Sequence, residues 1–463
     1  MNTVPFVYER LDEPLLRFRN NMRFSEPRRG LKVAGPYDSY QQSNRELTIA
    51  LIAEKELYDS SKELMEKLCT GLPGGFYEGF SRILRIRGLT LTSERIVHFD
   101  KDQQLTEIYE EIKSVYLDLA DSLPSLGVVV IVLPDKVVDY LYYKIKSLRF
   151  MVHDKIVRIQ IVREKTLRSA FSDIRSLDFT LFNLASGIYA KSGGTPWLLD
   201  EPLLPAGLFI GISFTRPRPI QGTNMRESFY YGVFTVHDKW GKFLDTVIRG
   251  IRTDSSKLRS LIRRYGTRGL FVPRNEMVEM LRHSIKQFIF RTRRSPSLIV
   301  LHKSAPFQNE EIEAIHDVAS SYNVKYALVH INRNNPYRGF SKDQYRSNPV
   351  RGDLVVDIEF PGTAVLFTTG CTQSIDNWYR KKIRPRNRPG TPKPIEINAP
   401  KNTTPLTINN LALQILALTK LDWNNTEIEI REPITIKYAR KAAKLKQHLP
   451  NLQLERFDVR DLI

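Results

Sequence analysis

Cysteine is almost missing from this chain: only Cys69 and Cys371 occur, far apart. That excludes a disulfide framework and any zinc site with several cysteine ligands, and the expected setting is a reducing cytoplasm. The eight histidines are scattered without ligand spacing; His302 and His330 fall in apolar stretches and read as core or edge residues. Long apolar runs are also lacking. The longest, Leu126 to Pro134 (LGVVVIVLP), is far shorter than the roughly 20 residues that span a bilayer, so it reads as a buried strand and no membrane partner is expected. The opening MNTVPFVYERLDEP carries acids and no apolar stretch, unlike a signal peptide. Internal repeats and a glycine-rich dinucleotide fingerprint are absent as well.

What is present in excess is positive charge. The chain has 463 residues, room for two or three domains, with 70 Lys and Arg against 51 Asp and Glu and a formal net charge of +19. An excess of this size favours a polyanionic partner, through counterion release from phosphates and long-range steering.

The apolar pattern divides the chain into an irregular segment (1–40), a first α/β domain (41–195) and a second one (196–463). In the first, a helical pattern is expected from about 45 to 75. It is followed by a strand at Val128–Leu133, a helix at Val137–Leu148, a strand at Val157–Val162 and a helix at Phe179–Ala190. Strand–helix alternation of this kind indicates a parallel sheet. The second begins with a strand at Leu208–Phe214 and a hairpin around His237–Gly241. Alternating strands and helices follow, ending with helices at Leu406–Leu421 and Lys437–Gln447. A meander followed by alternation is the pattern of an RNase H-like fold.

Several residues carry candidate chemistry. Tyr142 and Lys146 stand four apart on one helix face, where a ring can stack on a base and an ammonium can meet a phosphate. Lys155 opens the next strand. Asn183 and Lys191 lie slightly over two turns apart on the last helix of the domain, able to face one groove. The densest basic stretch, Tyr379 to Pro394, offers Arg384, Arg386 and Arg388 for phosphate contact.

The run Lys191-Ser192-Gly193-Gly194-Thr195-Pro196-Trp197 resembles the junction between the MID and PIWI domains of Argonaute proteins. Leu133-Pro134 followed by LYYKIKS resembles their 5′-end-binding helix, and Ala34-Gly35-Pro36-Tyr37-Asp38 the segment leading into MID. The resemblance spans nearly the whole chain and leaves no room for PAZ or N domains before the MID helix, as in short prokaryotic Argonautes. It implies a Rossmann-like MID domain followed by an RNase H-like PIWI domain. It further implies that Tyr142, Lys146, Lys155 and Lys191 hold the 5′-phosphorylated end of a guide, with Lys155 where many relatives place a glutamine. Asn183 would touch the guide backbone, and Arg384, Arg386 and Arg388 would line the guide–target channel. The carboxylate of Ile463 would hold a Mg²⁺ ion that bridges guide phosphates.

A two-metal nuclease needs converging carboxylates. Where active relatives carry acids or a terminal His or Asp, this chain has Ser213, Ser304 and Arg440. The resemblance therefore implies a non-cleaving sensor, loaded with guide RNA and recognising complementary single-stranded DNA. Its expected partner is an APAZ-containing effector, SIR2-APAZ first and TIR-APAZ next, in a heterodimer that depletes NAD⁺ in abortive defence. An active guide-directed endonuclease and a passive, stand-alone nucleic-acid-binding protein are the alternatives.

Overall fold

The computed structural model describes residues 6–100, 102–203, 207–216, 229–252, 256, 260, 263, 270–339, 349–369, 392–399, 404, 406–428, 430–449 and 457–463. The N-terminal strands are β1 (Phe6–Arg10), β2 (Leu16–Arg17) and β3 (Arg23–Phe24). The first α/β unit then runs β4 (Glu46–Glu54), α1 (Tyr58–Thr70), β5 (Gly88–Val97), α2 (Leu105–Ser122), β6 (Val128–Leu133), α3 (Asp135–Ser147), β7 (Arg158–Arg163) and α4 (Ile174–Lys191). Its four strands form one parallel sheet in the order β5-β4-β6-β7.

Every residue of β6 is buried, which is why its sequence is uniformly apolar: a central parallel strand is covered on both faces. The same physics corrects the expected helix at 45–75. Residues Glu46–Glu54 form strand β4, buried from Ala50 to Glu54, and the helix begins only at Tyr58. An apolar run covered on both faces carries no period that separates strand from helix. Helix α3 starts after Pro134 with Asp135 in its first turn and ends with Lys144 and Lys146 in its last, matching the helix dipole at both ends. Its buried Val137, Val138, Leu141 and Ile145 face the core. Helix α4 is capped by Asp173, whose side chain accepts from the amides of Arg175 and Ser176. The helix stops at Lys191, and Gly193 then takes φ 101°, a conformation open to glycine.

The second unit contains β8 (Leu198–Leu199), β9 (Gly207–Thr215), β10 (Phe229–His237), β11 (Phe243–Arg252), α5 (Arg274–Thr292), β12 (Leu298–Lys303), α6 (Asn309–Ser321), β13 (Lys325–Asn332), β14 (Asp353–Asp357), β15 (Thr363–Leu366), β16 (Ile395–Asn398), α7 (Ile408–Leu418) and α8 (Ile434–Gln447). Its sheet has nine strands in the order β1-β14-β15-β16-β13-β12-β9-β10-β11. Strands β9, β10 and β11 form the expected antiparallel meander, and β12 runs parallel to both β9 and β13.

Residues 6–40, read from the sequence as irregular, contain short strands that pair with distant parts of the chain. Strand β1 pairs with β14 at the sheet edge, and β2 pairs with both β3 and β8. Glu13 anchors this strap, with its carboxylate 2.9 Å from Arg351 and 2.9 Å from Lys420, two cations whose side chains are fully buried. Despite burial, Lys420 and Arg351 hold the Glu13 carboxyl below its ordinary pKa. Among the described residues no helix is long and apolar enough to cross a membrane.

Helix α8 lies against β9 at Gly211, where a Cβ would sit 2.1 Å from the Thr435 carbonyl oxygen. The hydroxyl of Thr235 donates to that same oxygen at 2.9 Å, and the Nδ1 of His302 lies 2.9 Å from the Thr435 hydroxyl. Backbone is in contact with backbone there, so neither partner can rotate aside. Gly211→Ala is expected to destabilise the protein by about 2 kcal/mol or more, read as a lowered urea midpoint; an unchanged midpoint would show that α8 is not seated on β9 this way.

Candidate nucleic-acid interface

Helices α3 and α8 come from the two units and flank a cleft of about 490 Å³. Its lining includes Asp139, Tyr142, Tyr143, Arg163, Lys441, Lys444 and His448. The rings of Tyr142 and Tyr143 meet edge to face at 4.9 Å, and Tyr143 stacks on His448 at 6.2 Å with an interplanar angle of 16°. The Lys444 ammonium lies 5.6 Å from the Tyr143 ring centre. Arg163, at the end of β7, is held by Asp135 at 3.3 Å and Asp139 at 2.5 Å. The cleft thus combines aromatic faces with cations, the pairing that suits stacked bases and phosphates.

Lys146 and Lys191 are buried, with relative exposures of 7% and 0%. The Lys146 ammonium donates to the carbonyl of Ile159 at 2.8 Å and to the main-chain oxygen of Ile463 at 2.7 Å. The Lys191 ammonium donates to Oε1 of Gln160 at 2.7 Å. Among the described residues, neither of these lysines nor Lys441 forms an ion pair with an Asp or Glu side chain. Burial pushes Lys146 down to about 7, helped by Lys441 and Arg158. Burial, then the charges of Lys146 and Lys441, lower Lys191 well below its ordinary value. Burial lowers Lys441 to about 8 even though Asp422 opposes it. Asp461 opposes the shift of Lys146 and Asp422 that of Lys191, but neither forms an ion pair with these lysines; buried like charges are unfavourable, and a phosphate placed among them would add negative charge.

Tyr142, Lys146 and Lys191 are therefore brought into one region. Lys155 is not. It lies before β7, at the end of the sheet away from Arg163, and its ammonium donates to the carbonyls of Asp121 at 2.7 Å and Leu123 at 3.1 Å, closing the C-terminus of α2. The side chain that meets Lys191 is instead that of Gln160 on β7, a polar residue only 6% exposed between the apolar Ile159 and Ile161. That mismatch was the available sequence signal. Lys441 was signalled by the spacing Lys437, Arg440, Lys441 and Lys444 along α8, and Arg158 by its place beside the core residue Ile159. Asn183 uses its carbonyl oxygen to accept from the amide of Thr426 at 2.8 Å and its hydroxyl at 2.7 Å, tying α4 to the loop before α8. Arg384, Arg386 and Arg388 lie outside the described residues. The residues flanking that stretch, Thr368 and Pro394, both hydrogen-bond to Arg431.

The C-terminal end docks beside the cleft. Asp461 accepts from Arg158 at 3.0 Å and Arg149 at 3.2 Å, and Arg158 also donates to the carbonyl of Lys191 at 2.7 Å. The protein groups around Ile463 do not by themselves make a Mg²⁺ site. Its oxygen already faces the Lys146 ammonium, and Asp461 and Asp458 are engaged by Arg158, Arg149 and Arg460. Magnesium requires several oxygen ligands in near-octahedral geometry.

At the other end of α8, Ser213 sits on β9 and Ser304 directly follows β12. The parallel register pairs Lys303 with Ile212, so the next residue on each strand brings these two serines side by side. Arg440 bonds to both carboxylate oxygens of Glu432 at 2.7 and 2.6 Å. Among the described residues no group of three or more His, Cys, Asp or Glu is placed to hold a metal ion.

Residues 128–449 match the family described as Piwi domain. The protein argonaute of Cereibacter sphaeroides is 22% identical over 444 residues, covering 92% of this chain and 53% of that protein. Clostridium butyricum Argonaute, solved with a guide DNA and a 19-mer target DNA, superposes with a TM-score of 0.67 at 18% identity over 96% of this chain and 53% of its own. Drosophila Piwi gives a TM-score of 0.63 at 18% identity, covering 95% and 54%. Aquifex aeolicus Argonaute gives 0.63 at 16% identity, covering 97% and 54%. The chain thus spans about half the length of these relatives, and the structural likenesses establish the fold.

The lysine cluster makes stability depend on pH in a fixed direction. Lys146 at about 7 and Lys441 at about 8 lie below the unfolded value of 10.5, so between pH 7 and 10 the unfolded chain binds more protons than the folded one. Stability then rises with pH across that window, by at most about 1.4 kcal/mol per pH unit for each lysine. Thermal melts of the nucleic-acid-free protein should move upward from pH 7 to 9.5, and Lys146→Met should flatten the slope. A flat or falling wild-type profile would contradict the buried, unpaired placement of these ammonium groups.

Proposed function

This chain belongs to the Piwi-domain family and is an Argonaute family member, and on that premise we propose that it is a guide-dependent nucleic-acid sensor. The α3–α8 cleft takes the 5′-phosphorylated end of a small guide, with RNA as the expected guide. Pairing then selects a complementary single-stranded DNA, so the bases carry sequence specificity and the protein reads backbone and shape. The observation that carries this reading is the set of buried lysines, Lys146, Lys191 and Lys441, which among the described residues form no ion pair with an Asp or Glu side chain and lie beside a tyrosine-lined cleft. A terminal phosphate there accepts charged hydrogen bonds, each worth about 1.5–3 kcal/mol. Its charge also favours protonation of lysines that burial leaves easily deprotonated. Tyr142 and Tyr143 offer ring faces to the first base.

The sensor is proposed to be silent in cleavage. Ser213 and Ser304 provide no carboxylate, and Arg440 is a permanent cation that repels divalent metal. Output then requires a second protein. We assign that role to an APAZ-containing effector with a SIR2 or TIR domain, bound as a heterodimer and depleting NAD⁺ when target engagement favours its active state. A Mg²⁺ ion near Ile463 would need guide phosphate oxygens as ligands, and no step here depends on one.

Guides identical except for a 5′-phosphate or 5′-hydroxyl, made as RNA and as DNA, test the reading by fluorescence anisotropy. The phosphorylated guide is expected to bind at least about tenfold more tightly. Lys146→Ala with Lys191→Ala should abolish that preference while leaving hydroxyl-guide binding nearly unchanged. Calorimetry at pH 7.5 in two buffers of different ionisation heat should show proton uptake with the phosphorylated guide only. Labelled target should stay intact in Mn²⁺. Equal affinity for both guide ends sinks the phosphate reading, and guide-directed cutting sinks the silent one.

A further inference from the structure

Just past the carboxyl end of β13, positively charged side chains collect around one carboxylate. Arg333 directly follows β13, whose His330 pairs with Lys303 of β12; Ser304 is the next residue along. Arg333 lies 2.6 Å from Oε1 of Glu432, and Arg440 grips both oxygens of the same carboxylate. Arg431 donates to the carbonyls of Arg333 at 2.5 Å and Pro394 at 2.9 Å. Burial, and then repulsion from Arg333 and Arg338, lower the pKa of Arg431, with Glu432 opposing. Its Nε is buried without a hydrogen-bond partner. Among the described residues Glu432 is the carboxylate that pairs with these arginines, so the guanidinium groups outnumber it.

Resting on the guide–target reading above, we propose that this end of the sheet is a phosphate clamp, in which Arg333, Arg431 and Arg440 hold a backbone phosphodiester of the bound target strand. Planar guanidinium forks match phosphate oxygens better than a point charge does. Active nucleases of this fold bring metal cations to the backbone at this place through acids; here the protein's own side chains bring the positive charge. The target strand is the fitting occupant, because the guide end has its own cations in Lys146 of α3, Lys191 of α4 and Lys441 of α8. A complementary strand brings an equal run of phosphates to which the cleft offers nothing. Glu432 holds two of the arginines ready and competes with the phosphate for them.

The test uses the full chain loaded with a 5′-phosphorylated guide. Arg333→Ala with Arg440→Ala should weaken target binding about tenfold and lower the salt slope of log K by roughly 1–2, while guide affinity stays within about twofold. Glu432→Gln should tighten target binding, since it releases both arginines; damage to the fold cannot produce that gain. Targets carrying one neutral methylphosphonate linkage should lose affinity at one or two positions in the wild type, and that loss should vanish in the double variant. Unchanged target affinity in the double variant, weaker binding with Glu432→Gln, or equal loss at every linkage overturns the clamp. Failure of the wild type to prefer a phosphorylated guide overturns the cleft reading and the clamp together, whereas failure confined to the target arm overturns the clamp alone.

Discussion

Three ammonium groups crowd into one region, and among the described residues no Asp or Glu side chain forms an ion pair with them. Lys146 rests on the Ile159 and Ile463 main-chain oxygens, Lys191 on the Gln160 side-chain oxygen, and Lys441 lines the cleft nearby. These oxygens orient the Lys146 and Lys191 ammonium groups, and Asp461 and Asp422 act on the cluster only through space. Burial lowers the pKa of all three. In the proposed guide-binding reading, the lowered pKa values and an affinity for a terminal phosphate are two consequences of one arrangement.

Helix α8 links this cluster to the rest of the molecule. Its first turn is seated on Gly211 of β9 and bonded through Thr435 to His302 and Thr235. Its last turns supply Lys441, Lys444 and His448 to the cleft, and Arg440 between them reaches Glu432. A single helix therefore fixes the spacing between the terminal-phosphate cleft and the arginine-rich end of the larger sheet. The contact with a glycine sets this spacing, because any side chain at position 211 would lift the helix off its strand.

Much of the fold was legible along the chain. Continuous apolar runs marked β6 and β9, and helical spacing marked α3, because in those elements local pattern and tertiary environment agree. The sequence reading failed where they differ. Strand β4 is covered on both faces and therefore shows no alternation. The N-terminal strands are short and gain their partners, β14 and β8, from distant parts of the chain. Within the candidate site, Tyr142 and Lys146 could be found because they share one helix face. Gln160, Arg158, Lys441 and Glu432 could not be joined to them by spacing, since each comes from another element.

The sequence by itself determined the sign of the charge excess, the two α/β units, the absence of acids at positions 213, 304 and 440, and the helical pairing of Tyr142 with Lys146. Each of these is set by residue identity or by one helical or strand period. Only the tertiary structure decided which cations share a cavity. It placed Lys155 against the end of α2 and Gln160 against Lys191, and it gathered Arg333, Arg431 and Arg440 around Glu432. Burial and the distance between charges depend on how separate elements pack, and one-dimensional order carries no record of either.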